Sequence, residues 1–284
     1  MPSSFWSNTI WYILLAVSSI ITLVFTLIKS KNCKFTIAYT LAALGFVYMI
    51  EAVLVVIFNA YDYYPKIVND MFQDTVLGNI FSQVSIASTS AFAIVYNLSY
   101  GWYVLFAFIY YLIDIFFVKL RIYEHYWYKS IYTFIGFIPL FILIKKYYIK
   151  FINSSKYIFN YIILYLCVFA VSGNLIILPF KLMSIQIFNI HFFDNFSRNH
   201  TATGIIWGFL FINILIYVYK RNFHWAFKAA VFIMLFFIQF VLYKTGIILY
   251  KDGWFIPATL IDLLGIYLFI IVLDYFLRSK PSVH

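Results

Sequence analysis

Four acidic residues interrupt the apolar runs of this sequence: Glu51, Asp114, Asp262 and Asp274. An ionisable side chain inside a membrane span is expensive to place, so such residues mark proton relays, solute paths or buried polar pairs. Asp274 stands four residues before Arg278, and a local pair on one helix face accounts for it. Glu51, Asp114 and Asp262 are left as candidates for a proton or solute path. Hydrogen bonding between helices is the plainer role for each, and Lys119 or Arg121 could reach Asp114 by snorkelling.

A second group is the run Tyr123-Glu124-His125-Tyr126-Trp127-Tyr128-Lys129. Glu124, His125 and Trp127 form a candidate site at the outer interface. Neighbouring residues of a helix do not face each other, so acid–base or metal chemistry there needs partners from elsewhere. An aromatic anchor at the membrane surface explains the same residues. His191, Asp194 and His200 are spaced H-x2-D-x5-H, which matches no helical metal motif. Cys33 and Cys167 have no C-x-x-C partner. The sequence contains no Walker A segment, G-x-G-x-x-G, G-x-S-x-G or H-E-x-x-H. No catalytic residue, cofactor or metal is assigned, and the chain reads as a non-enzyme.

The elements that carry these residues follow from hydropathy. Hydrophobic residues make up 65% of the 284, charged residues 11%, and mean hydropathy is +0.93. Soluble domains are nearer half apolar and a quarter charged. A hydrocarbon core of roughly 30 Å takes about 20 apolar residues as a helix. Nine such runs occur, at 10–28, 35–59, 76–97, 100–118, 127–144, 157–179, 201–219, 225–243 and 254–277. They are continuously apolar rather than alternating, which favours helices over a barrel. The expectation is an all-α, polytopic bundle of eight or nine transmembrane helices forming one integral membrane domain, residues 1–284. The fifth run is short and the third the least hydropathic, so eight spans with one re-entrant segment is the alternative. No basic residue precedes the first run, which reads as a retained span rather than a cleaved signal.

The third run carries Gly78, Ser82, Ser85 and Thr89 at spacings of three and four, a small-residue face for close helix packing or for lining a solute path. No internal repeat is visible in the sequence. Net charge is +10, but the bases lie in short loops, so lipid contact and topology explain them and nucleic-acid binding is not expected. Twelve Lys and Arg residues fall on one side if the N-terminus is outside, against eight on the other. The positive-inside rule then places the C-terminus in the cytoplasm of a cell-membrane protein.

Tyr123-Glu124-His125-Tyr126-Trp127, with Lys129 and Tyr132-Thr133, Tyr64-Pro65-Lys66 and Lys145-Lys146-Tyr147, resembles an uncharacterised family of multi-pass membrane proteins from Gram-positive spore-forming bacteria. The resemblance covers residues 60–150 and implies a bacterial cytoplasmic membrane, with no activity to carry over. Three functions fit these observations. The first is a protein acting through membrane partners, its own copies or lipid. The second is a secondary transporter or channel for a proton, cation or small polar solute. The third is a membrane enzyme on a lipid-linked substrate.

Overall fold

The computed structural model describes residues 5–153, 156–221 and 223–280, and nine helices among them run from end to end of a bundle. They are α1 (Phe5–Lys29), α2 (Cys33–Ile57), α3 (Met71–Val95), α4 (Tyr100–Lys119), α5 (Ser130–Asn153), α6 (Tyr157–Leu182), α7 (Phe196–Lys220), α8 (Trp225–Lys244) and α9 (Phe255–Arg278). All but α5 are long and apolar enough to cross a membrane, so the chain is a multi-pass membrane protein. The fifth run, expected to be short, is an unbroken 24-residue helix. It extends beyond the apolar stretch through Lys145, Lys146 and Lys150, and the Lys145 ammonium donates to the Leu98 carbonyl at 2.9 Å.

Asn32, Asp70 and Asn195 start α2, α3 and α7 by accepting a hydrogen bond from the backbone N–H three residues on. This satisfies donors that the first helical turn leaves open. Among the described residues, four short strands join the loops at the N-terminal end of the bundle. β1 (Tyr61–Tyr63) pairs antiparallel with β2 (Tyr123–His125), and β3 (Gln186–Phe188) with β4 (Ile248–Tyr250). Long apolar side chains stay exposed along the helices, as on Ile20, Ile28, Ile233 and Leu268. That is the surface lipid requires.

The fold contains a repeat that the sequence does not display. After α1, the chain runs helix, strand, two helices, strand, helix, and then does so again. Five elements of the second unit each start 125 residues after their counterparts: Tyr61 and Gln186, Met71 and Phe196, Tyr100 and Trp225, Tyr123 and Ile248, Ser130 and Phe255. The strand registers also correspond, with Tyr61 opposite His125 and Gln186 opposite Tyr250. Successive helices alternate in direction, so four helices per unit leave both units pointing the same way. This is a parallel repeat, not the inverted kind. The two leading helices, α2 and α6, pack on each other. Gly45 sits against the Leu166 backbone, and the Cys167 thiol donates to the Ala38 carbonyl at 3.0 Å. Helix α1 stands outside the repeat, packed on α3.

Candidate functional site

Glu51 ends the regular part of α2, and a π-helical turn, Ala52–Ile57, follows it. Helix α6 carries its own π turn at Gly173–Ile177. Such turns widen a helix locally and recur at functional sites. Two hydrogen bonds fix the Glu51 carboxylate through Oε2, one from the Tyr61 hydroxyl on β1 and one from Asn79 Nδ2 on α3 at 3.2 Å. Among the described residues nothing donates to Oε1.

Two cavities meet at this side chain. The smaller, about 40 Å³, lies between the first unit and α1 and is lined by Tyr12, Glu51, Tyr61, Tyr63, Ser82, Asp114 and Thr133, among others. The larger, about 150 Å³, lies between the units. Both π turns border it, with α3 and α7 as the other walls. Its polar lining includes Glu51, Asn79, Gln83, Asn174, Lys181 and His200, set among Val55, Ile80, Phe169, Ile177 and Ile205. The Lys181 ammonium donates to Thr201 Oγ1 at 2.6 Å and to the Ser197 carbonyl at 3.4 Å. No carboxylate lies within 4.0 Å of it among the described residues.

Asp114 does not meet Lys119 or Arg121. Thr133 Oγ1 donates to its Oδ2 at 2.7 Å, while Oδ1 lies 3.4 Å from His125 Nε2 without forming a hydrogen bond. His125 reaches inward because residues of a strand alternate sides. The same alternation turns Glu124 outward, where it accepts from the Tyr64 hydroxyl at 2.7 Å. Trp127 is exposed and donates to the Phe58 carbonyl at 2.8 Å. Glu124, His125 and Trp127 therefore do not converge.

Tyr63 and Tyr123 stack at 4.3 Å across the first sheet and, with Tyr61, roof the small cavity. Burial, with the Glu51 carboxylate beside it, pushes the Tyr61 phenol well above its ordinary range, so it remains a donor. Burial also raises Tyr250, to about 12.

Asp262 lies apart, in a further π turn, Ile261–Gly265 of α9. Gln186 Nε2 stands 3.4 Å from its Oδ2 and 3.0 Å from the Tyr250 hydroxyl, which in turn donates to Gln239 Oε1 at 2.9 Å. Glu51 and Asp114 thus share a cavity and Asp262 belongs to the second unit. Asp274 pairs with Arg278, as its spacing suggests, and also with Lys220 of α7.

The small-residue face has three uses. Gly78 takes the Tyr63 side chain against it; a Cβ there would lie 2.5 Å from Tyr63 Cβ. Ser85 and Thr89 both reach the Tyr110 hydroxyl of α4, at 2.8 and 2.9 Å. Ser82 faces the small cavity. His200 accepts the Phe188 N–H at Nδ1, 2.9 Å, while His191 and Asp194 are exposed. No cluster of three His, Cys, Asp or Glu residues able to hold a metal ion occurs among the described residues.

The sequence pattern misses Lys181. The apolar run ends on paper at 179, whereas α6 continues to Leu182 and buries the lysine to 7% exposure. The signal was Pro179-Phe180-Lys181, too short to separate from a loop. No protein-family model, curated protein or solved structure matches the chain.

Proposed function

We propose that the protein moves a proton or small polar solute across the membrane by way of the cavity between its two units. The observation that carries this reading is the position of Glu51. It is a carboxylate inside the bundle with one oxygen unengaged, set where two cavities meet and beside a π turn that has a counterpart across the cavity. Polar sites at the interface between repeats, formed by irregular helices, are the arrangement that transporters use. A protein acting only by lipid or partner contact has no need of an accessible carboxylate there. The sheet-bearing end faces outward in this reading, since Lys and Arg favour the opposite end, and the spore-former resemblance suits a cell membrane.

The test is flux into liposomes, read by an internal pH-sensitive dye under imposed proton and cation gradients and by uptake of labelled alanine, valine and leucine. Wild-type protein gives flux above empty vesicles, and Glu51→Gln removes it while the protein still runs as a monodisperse species. Equal flux in both, or none in wild type under any condition, sinks the reading.

A further inference from the structure

The central cavity is lined by one carboxylate, Glu51, and one ammonium, Lys181, that do not meet each other, while His200, also in its wall, has its Nδ1 engaged by the Phe188 N–H. Glu51 keeps its Oε1 free of hydrogen bonds. The Lys181 ammonium has two neutral acceptors and no carboxylate within 4.0 Å among the described residues. The nearest carboxylate acting on it, Asp70, is engaged by the Ser197 hydroxyl and makes no direct contact with the ammonium; at 7% exposure a partner that brings an anion into direct contact offsets the cost of burying the charge. Asn79 Oδ1 is buried in the same place without a donor. Between these polar points the wall is aliphatic and aromatic. A space of about 150 Å³ is the volume that takes a molecule the size of benzene.

Charge and shape together restrict the occupant. An ammonium group satisfies Glu51 Oε1 and Asn79 Oδ1, both acceptors. A carboxylate satisfies Lys181. A short apolar body fills the space between. A purely cationic ligand leaves Lys181 without a direct anionic contact, and a purely anionic one sets its charge against Glu51. We propose that the cavity binds a small apolar zwitterion, an α-amino acid with an aliphatic side chain, amine toward Glu51 and carboxylate toward Lys181. This deepens the transport reading and rests on the cavity that reading uses.

Binding is measured without any gradient, on the full-length protein in detergent, by scintillation proximity with labelled alanine, valine and leucine. The competitors are the corresponding amino-acid amides, which lack the anion, and the deaminated acids, which lack the cation. At least one amino acid binds about tenfold or more tighter than both of its analogues, since each lost charge-assisted hydrogen bond carries at least that factor. Lys181→Gln abolishes the preference over the amide but keeps the preference over the acid, and Glu51→Gln does the reverse. If none of the three amino acids outcompetes its own amide and acid on the wild-type protein, the proposal is wrong, and that arm needs no variant to fold. Proton flux without such binding leaves the transport reading standing and overturns this one. Binding without flux supports this one and overturns transport.

Discussion

The two units of the bundle keep the same hydrogen bonds and differ in charge. Asp74 Oδ1 accepts from the N–H groups of Ile67 and Val68, and Asn199 Oδ1 accepts from those of Phe192 and Phe193, each 125 residues on. Thr75 takes the Tyr63 N–H as His200 takes that of Phe188. His125 approaches Asp114 where Tyr250 donates to Gln239. The scaffold requires an acceptor at the first two of these places and is indifferent to whether it is ionised, while at the third His125 and Asp114 meet without a hydrogen bond. Glu51 is different. Counted from the π turns, its counterpart is Ser172, whose hydroxyl bonds only within its own helix. The comparison thereby separates acids that serve the fold from one that the repeat does not need.

The largest effect is expected where the units join. Gly45→Leu drives a side chain into the Leu166 backbone, which cannot yield as a flexible side chain would. A loss of about 3 kcal/mol or more is expected, seen as a large fall in midpoint temperature in detergent. Gly136 has nothing within 4 Å of an added Cβ, and Gly136→Ala leaves that midpoint unchanged or raised. Equal effects would remove the seam as a special place.

Converting the first unit toward the second comes next. Asp114→Asn keeps the acceptor for Thr133, much as Gln239 serves Tyr250, and costs about 1–2 kcal/mol. Asp74→Asn exchanges the charge for the group found in the second unit and costs about 1 kcal/mol through weaker N–H bonds. Chemical unfolding of each variant checks both. A cost above about 4 kcal/mol for either would mean that the charge, not the acceptor, holds the scaffold.

The smallest effect concerns the turn before the second strand of each unit. Arg121 has φ +57° and its counterpart Gly246 φ +73°. Side chains other than glycine are disfavoured there, so Arg121→Gly is stabilising by up to about 1 kcal/mol, and Gly246→Ala destabilising by about the same. The same sign for both substitutions would contradict the correspondence.

Much of this was legible in the sequence. Apolar run length leads to eight or nine helices, of which eight are apolar enough to cross a membrane, and the intramembrane acids stand out by their cost. The repeat was not legible, because hydrogen-bonding roles repeat while residue types do not. At the 125-residue spacing between Tyr61–Tyr128 and its counterpart, identities are sparse, such as Ile113 and Ile238, Lys119 and Lys244, Ile122 and Ile247. Asp74 and Asn199, or Thr75 and His200, are alike only once their donors are known. Lys181 and the pairing of Glu51 with Asp114 in one cavity depend on which helices touch, which chain order leaves open.

The central claim is that Glu51 works in an accessible cavity while Asp262 is sealed into the second unit. The most direct measurement is the site of reaction with a membrane-soluble carbodiimide in intact proteoliposomes, read by mass spectrometry of the peptides. The account predicts modification at Glu51, with Asp262, 5% exposed, left intact. Modification of Asp262 with Glu51 untouched would contradict it.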